Sequence, residues 1–157
     1  RKHREMEQIL QLIQNYPLIV AAASWAAAQV VKAIINALQT KQFKAERLVG
    51  AGGMPSCHSA AVCGLMMALA RSEGMGSPAF AVAVLLAIVV MYDAMGVRRA
   101  AGEQAKALNR LAKSKLLDEE DPNLLPGDLK EFLGHTPVQV LAGALLGIMI
   151  AIFIPVF

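Results

Sequence analysis

The chain has 157 residues, of which 56% are hydrophobic and 17% charged, with a formal net charge of +3. Its apolar residues lie in blocks of membrane-spanning length, a pattern that argues against an ordinary soluble domain. The length suits a single unit, residues 1–157, rather than two domains. No cluster of carboxylates indicates a metal site, so we expect no metal and no other cofactor, and we expect no nucleic-acid partner.

The two cysteines, Cys57 and Cys63, lie six residues apart on one predicted helix. Side chains at that spacing face different directions, so they cannot form a disulfide of normal geometry. We therefore interpret both as reduced packing residues.

Residues 1–15 are polar and mixed in charge, with apolar residues at helical spacing, and they predict a short interfacial helix. Because the chain does not begin with methionine, residues 1–5 are alternatively a non-native extension. The first apolar run has no distinct processing site, so we expect it to be retained.

Four apolar runs predict membrane-spanning helices, at residues 16–38, 55–71, 78–96 and 136–157. The last run begins with a capping-box pattern, in which Thr136 is the N-cap and Gln139 the third helical residue. Small residues, such as Gly143 and Gly147, allow close helix contacts in lipid and could also support a homo-oligomer. The predicted fold class is an all-α integral membrane bundle of about four spanning helices.

Residues 97–116 add a basic amphipathic helix to this bundle. Val97, Ala105 and Leu108 fall on one face, and basic residues occupy the other. This pattern predicts a helix in the plane of the lipid headgroups. The alternative is a solvated helix packed on the bundle.

Residues 52–60 (GGMPSCHSA) predict a loop that leads into the start of the second span. Pro55 suits the first position of a helix, and His58 then falls in the first turn. Unpaired backbone N–H groups and the positive end of the helix dipole would face the loop and favour an oxyanion such as phosphate. The alternative is an ordinary helix cap, with Ser56 or Ser59 satisfying backbone N–H groups.

With four spans, the end of span one, the start of two, the end of three and the start of four share one membrane face. That face collects cations, two histidines and other polar residues: Lys32, Lys41, Lys44, Arg47, Ser56, His58, Asp93, Arg98, Arg99 and His135. A lysine inside a span costs roughly 2.5–3.5 kcal/mol on insertion scales, which makes Lys32 a functional candidate. The alternative for Lys32 is snorkelling to the headgroups.

Three segments carry a family resemblance: GGMPSCHSA at 52–60, YDAMGVRRAAGEQAKALN at 92–109 and LGHTPVQVLAG at 133–143. Together they resemble the divergent branch of the type 2 phosphatidic acid phosphatase superfamily, which is related to the vanadium-dependent haloperoxidases. The resemblance implies an all-helical fold and metal-independent hydrolysis of a phosphate ester through a phosphohistidine. It implies His135 as the nucleophile and His58 as the general acid. The candidate phosphate-binding residues are Lys32, Arg47, Ser56, Cys57, Arg98 and Arg99.

The chain departs from the family pattern at several positions. Cys57 stands where a glycine is usual, and Leu129 stands where an arginine precedes the nucleophile. Gln139 occupies the place of the aspartate that orients the nucleophilic imidazole. Gln139 is therefore either an orienting residue or only part of the helix cap, and Asp93 is a second orienting candidate.

These observations predict a lipid phosphate phosphatase whose partners are a phosphorylated lipid and the surrounding membrane lipids. The alternative is a catalytically inactive membrane protein that binds or transports lipid phosphates.

The distribution of cations predicts the orientation in the membrane. Cytoplasmic loops carry the excess of Lys and Arg, counted within about 15–20 residues of the span ends. The predicted site face holds Lys41, Lys44, Arg47, Arg98, Arg99, Lys106, Arg110 and Lys113, against Arg1, Lys2, Arg4 and Arg71 on the other face. We therefore expect an integral protein of a bacterial cell membrane with its site on the cytoplasmic side.

Overall fold

A computed structural model describes residues 1–40, 53–113 and 134–157 of the chain. Every regular element within these ranges is a helix: α1 (Lys2–Ile13), α2 (Tyr16–Thr40), α3 (Cys57–Ser72), α4 (Pro78–Met95), α5 (Val97–Lys113) and α6 (Pro137–Phe153). The all-α part of the prediction is confirmed for these residues.

Two stretches are long and apolar enough to cross a membrane, judged by length and composition. They are Tyr16–Thr40, which contains an 18-residue window of mean hydropathy 1.9, and Pro78–Arg110, which contains one of mean hydropathy 2.3. Helices α3 and α6 have 16 and 17 residues, which at about 1.5 Å per residue makes each shorter than a hydrocarbon core of about 30 Å. The count of four spanning helices therefore stays a prediction.

Helix α3 lies at the centre of the bundle and packs against α2, α4 and α6. Small residues line its packed faces, and Ala60, Cys63 and Gly64 are all buried. A Cβ atom added at Gly147 would clash with the backbone carbonyl oxygen of Ala60. The backbones of α3 and α6 therefore approach so closely that only glycine fits at this crossing, as expected for helix packing in lipid.

The Gly143 and Gly147 ridge on α6 is used within the chain. A Cβ atom at Gly143 would clash with the carbonyl oxygen of Ser56, one turn along the same contact with α3. This ridge is therefore occupied within the chain, and homo-oligomerisation through small-residue faces stays a prediction.

The other end of the bundle is held by a hydrogen-bonded group around Tyr16 and Arg71. The guanidinium of Arg71 donates to the hydroxyl of Tyr16 at 2.8 Å, to the carbonyl oxygen of Ile154 at 2.7 Å and to that of Ala151. These carbonyl groups belong to the C-terminal end of α6, where the helix itself supplies no donors. Arg71 closes the last turn of α3, so this contact lies far from the start of that helix.

The start of α3 differs from the prediction. Helix α3 begins at Cys57 rather than at Pro55, because Ser56 is its N-cap. Pro55 therefore precedes the helix instead of occupying its first turn. Both cysteines are free and buried, as predicted.

Helix α5 follows α4 directly and carries the predicted charge pattern; residues 114–116 of its predicted range lie outside the described residues. Its buried positions include Ala105 and Asn109, whereas Leu108 is 54% exposed. The Nζ atom of Lys106 lies 3.0 Å from Oε1 of Glu103. By donating a hydrogen bond and by its positive charge, Lys106 holds the pKa of the exposed Glu103 carboxyl below its usual value. The apolar Leu108 is thus available to a lipid surface, and the interfacial position of α5 stays a prediction.

Candidate functional site

Ser56 and Ser59 form a closed cap at the start of α3. The Oγ atom of Ser56 accepts hydrogen bonds from the backbone N–H of Ser59 at 3.3 Å and from the hydroxyl of Ser59 at 3.0 Å. Both residues are fully buried. The capping interpretation is therefore correct for Ser56, and a contact between its hydroxyl and phosphate stays a prediction.

Two backbone hydrogen bonds join the start of α6 to neighbouring helix ends. The N–H of Ser56 donates to the carbonyl oxygen of Gln139 at 3.0 Å, and the N–H of His135 donates to the carbonyl oxygen of Ala94 at 2.9 Å. The start of α3, the end of α4 and the start of α6 consequently meet at one end of the bundle. The segments that contain His58 and His135 are neighbours in space, although 77 positions separate the two histidines (135 − 58).

The imidazole of His135 is held by Gln139. The side chain of His135 is 4% exposed, and its Nδ1 atom lies 3.2 Å from Oε1 of Gln139. An amide oxygen can only accept a hydrogen bond, so Nδ1 is the donor, and in the neutral imidazole Nε2 then carries the lone pair. This is the tautomer that a nucleophilic imidazole needs if Nε2 attacks.

The same amide oxygen also closes the helix cap. Oε1 of Gln139 accepts the backbone N–H of Thr136 at 3.0 Å, while Oγ1 of Thr136 accepts the backbone N–H of Gln139 at 3.4 Å. These contacts form the predicted capping box. The sequence offered capping and orientation as alternatives for Gln139, but in the structure one oxygen atom makes both contacts.

Lys32 is buried against the start of α3. Its side chain is 4% exposed, and its Nζ atom lies 3.7 Å from Sγ of Cys57. A Cβ atom added at Gly53 would lie 3.4 Å from Cγ of Lys32, so the aliphatic stem runs along the loop that enters α3. This inward position disfavours the snorkelling alternative and puts a cation beside the N-terminus of α3.

Cys57 occupies the first helical position, between two other candidate residues. Its Sγ atom lies 3.7 Å from Nζ of Lys32 and 3.7 Å from Nδ1 of His58. Cys57 is 2% exposed and His58 is half-buried. The Cys57 thiol therefore contacts the lysine and the histidine at the entrance to α3.

Of the other cations predicted for the site, Arg98 and Arg99 lie in the part of the chain that the structure describes. Arg98 and Arg99 lie in the first turn of α5, immediately after α4, and the side chain of Arg99 is exposed. Arg47, Lys41 and Lys44 lie outside the described residues. The prediction that these cations bind phosphate remains untested.

Asp93 was predicted as an alternative orienting residue. It is half-buried on the last turn of α4, next to Ala94, whose carbonyl group binds the backbone of His135. The contact that the structure shows on Nδ1 of His135 is with Gln139. Among residues 1–40, 53–113 and 134–157, no group of three or more His, Cys, Asp or Glu side chains could hold a metal ion.

One buried residue outside the predicted set lies about one turn from Lys32 on α2. Gln29 is 7% exposed, and its Oε1 atom has no hydrogen-bond partner in the described part of the chain. The sequence carried a signal for it, because Gln29 and Lys32 interrupt an apolar run three residues apart and hence share a helix face.

Two apolar stretches long enough to span a membrane, and a group of polar residues buried at one end of the bundle, are features expected of an integral membrane protein. The chain belongs to the Divergent PAP2 family, whose model matches residues 13–150. It is also similar to the uncharacterized membrane protein YuiD of Bacillus subtilis (strain 168). The two are 36% identical over 156 residues, which cover 94% of this chain and 99% of the relative. No solved structure matches the chain.

Proposed function

We propose that this protein is a metal-independent lipid phosphate phosphatase that hydrolyses a phosphomonoester or diphosphate through a phosphohistidine at His135. The observation that carries the proposal is the buried imidazole of His135, whose Nδ1 is fixed by Gln139. The backbone bond from Ser56 to Gln139 adds the N-terminus of α3, with His58 in its first turn. Membership of the Divergent PAP2 family supports the same assignment.

In the first step, the lone pair on Nε2 of His135 attacks phosphorus, and the ester P–O bond breaks. His58, as an imidazolium, gives its proton to the departing lipid oxygen, which leaves as an alcohol. The phosphoryl group is then bonded to His135, and His58 is neutral.

In the second step, neutral His58 takes a proton from a water molecule, whose oxygen attacks the phosphohistidine. The P–N bond breaks, inorganic phosphate leaves, and both histidines return to their starting states. Throughout, Lys32 and the backbone N–H groups at the start of α3 stabilise charge on the equatorial oxygens. Arg47, Arg98 and Arg99 are further candidates for this role.

The position of the site favours a lipid substrate. Its residues lie at one end of apolar helices, and α5, with its basic face, begins directly after α4. A phosphorylated headgroup at the membrane surface can reach such a site while its acyl or prenyl chains stay among the helices. Phosphatidate, phosphatidylglycerophosphate and polyprenyl diphosphate all have suitable headgroups.

The wider arrangement in the membrane belongs to the same proposal. We place α2, α3, α4 and α6 across a bacterial cell membrane, with α5 in the headgroup plane and the site on the cytoplasmic side. The excess of Lys and Arg on the site face supports this orientation.

A second function has one observation in its favour. The partner of His135 is a neutral amide, which stabilises an imidazolium less well than a carboxylate does. This favours a catalytically inactive protein that binds or transports lipid phosphates.

Purified protein in mixed micelles, assayed with a panel of lipid phosphates in the presence of a chelator, separates the two functions. The phosphatase releases inorganic phosphate from at least one lipid, and His135→Ala does not. Saturable binding of a lipid phosphate without phosphate release would support the binding or transport function instead.

A further inference from the structure

The structure contains a buried hydrogen-bond acceptor that the proposed mechanism does not use. Oε1 of Gln29 is buried and has no donor among the described residues. A carbonyl oxygen removed from water without a donor is costly, so such groups in proteins are usually paired. A bound ligand that carries a donor hydrogen would supply the hydrogen bond that Oε1 of Gln29 lacks.

The position of Gln29 points to the phosphate-binding end of the bundle. It lies three residues before Lys32 on the buried side of α2, about 4.5 Å deeper along the helix axis. Its neighbour Ala28 packs against Cys57 and Ala60 in the first turn of α3. Gln29 and Lys32 are both buried and, three residues apart, share a face of α2, one as an acceptor and the other as a cation.

We infer that Oε1 of Gln29 accepts a hydrogen bond from a P–OH group of a phosphate bound beside Lys32 and the start of α3. Gln29 thereby selects oxyanions that carry a hydrogen. The inference deepens the proposed function and rests on its phosphate site. The shared chemistry is a P–OH group, which belongs either to free inorganic phosphate or to the monoanion of a lipid phosphomonoester.

Such an acceptor would distinguish the substrate from the bulk of the membrane. The phosphate of an ordinary phospholipid is a diester and has no P–OH hydrogen. The phosphate oxygens of the diester and Oε1 of Gln29 can all only accept hydrogen bonds, so no hydrogen bond would form between them. Sites built around a buried hydrogen bond strongly reject analogues that lack the hydrogen, so Gln29 would exclude the surrounding phosphodiesters.

The test measures binding by detergent-solubilised full-length protein, with inorganic phosphate and sulfate as probes. At a mildly alkaline pH both are dianions of similar size, but only phosphate carries a hydrogen. We expect the wild-type protein to prefer phosphate, and Gln29→Met to reduce that preference about tenfold, in line with the loss of one buried hydrogen bond. Gln39→Met, an exposed site on the same helix, is the matched control and should keep the preference.

A second variant and a thermal measurement guard against a folding defect. Gln29→Glu keeps an acceptor but adds a negative charge, so it should weaken both anions and still prefer phosphate. Without ligand, Gln29→Met should unfold at the same or a higher temperature than wild type, because it removes an unpaired buried oxygen. Equal phosphate preference in wild type and Gln29→Met would overturn the inference.

A second pair of probes identifies the source of the P–OH group. It compares a short-chain lipid phosphomonoester, at a pH where the monoanion is present, with its methyl diester. If Gln29→Met loses the preference for the monoester over the diester, the contact is with the lipid headgroup. If Gln29→Met loses only the preference for phosphate over sulfate, the contact is with free phosphate. Because all readouts are binding, absence of hydrolysis in every lipid assay would remove the phosphatase proposal and leave this inference standing.

Discussion

The Nδ1 atom of His135 lies 3.2 Å from Oε1 of Gln139, and the same oxygen accepts the backbone N–H of Thr136 at 3.0 Å. The first contact fixes the tautomer and direction of a buried imidazole. The second closes the N-terminus of α6. One amide oxygen therefore links the stability of a helix end to the orientation of the proposed nucleophile.

Substitutions of Gln139 should change both properties together. Gln139→Ala removes the capping-box acceptor and the imidazole contact, so we expect a loss of about 0.5–2 kcal/mol in unfolding free energy and lower turnover. Thermal unfolding and phosphate release, measured on one preparation, check this pair of effects. A well-folded Gln139→Ala protein with wild-type turnover would show that the contact with His135 has no catalytic consequence.

Gln139→Glu keeps an acceptor at the same length and adds a charge. Its carboxylate should preserve the cap and stabilise the protonated imidazole of His135. Because the nucleophile must be neutral, the acidic limb of the pH–rate profile should move to higher pH. Gln139→Asp, which introduces the aspartate that the family resemblance implies at this position, should shift the profile in the same direction and raise turnover. An unchanged profile in both variants would leave Gln139 with the capping role alone.

The two histidines should respond differently to the leaving group. His58→Ala removes the proposed acid, a loss of about 10²–10⁴-fold in rate for an ordinary lipid alcohol. A substrate with a very acidic leaving group needs no proton, so it should partly restore the first step in His58→Ala, measured as release of the leaving group in a single turnover, and leave His135→Ala inactive. Equal rescue of both variants would contradict this assignment of roles.

The close contact of α3 and α6 gives a prediction about packing. In Gly143→Ala, the new methyl group would clash with the carbonyl oxygen of Ser56. The backbone N–H of the same residue donates to the carbonyl oxygen of Gln139. We expect a loss of about 1–3 kcal/mol in unfolding free energy, as for other overpacked contacts, together with reduced turnover. Gly76→Ala is the matched control, because nothing lies within 4 Å of a Cβ atom there. Equal stability of both variants would show that the two helices separate at little cost.

The predicted orientation can be tested by cysteine labelling in intact cells, in a Cys57→Ser, Cys63→Ser background. Met75, 73% exposed between α3 and α4, lies at the end of the bundle opposite the site. If the site is cytoplasmic, Met75→Cys should react with a membrane-impermeant maleimide. Gln104→Cys, exposed on α5, should react only after permeabilisation. The reverse pattern would place the site outside the cell.

Much of the helical organisation could be predicted from sequence, because it follows from local patterns. Apolar runs and turn residues indicated the helices. The Thr136 to Gln139 spacing indicated the capping box that the structure contains. The start of α3 was misplaced at Pro55, because proline and serine both suit a helix start and only geometry shows that Ser56 is the N-cap.

The arrangement within the site was harder to predict, because it depends on contacts between distant segments. Nothing in the sequence around Gln139 shows that its oxygen serves His135 and the cap at once. Burial of Lys32 against Cys57 could not be distinguished from snorkelling without the position of α3. For Gln29 the sequence gives only its spacing from Lys32, because whether its oxygen has a hydrogen-bond donor depends on the residues packed around it.

The most direct test of the account is the site of phosphorylation in a trapped intermediate. His58→Ala protein, mixed with a lipid phosphate that has an acidic leaving group, should complete the first step and stall in the second, because no base activates water. Peptide mass spectrometry after a rapid quench should then find a phosphoryl group on His135, and none should appear in the His58→Ala, His135→Ala protein. Release of the leaving group without a phosphoryl group on His135, or with one on another residue, would contradict the account.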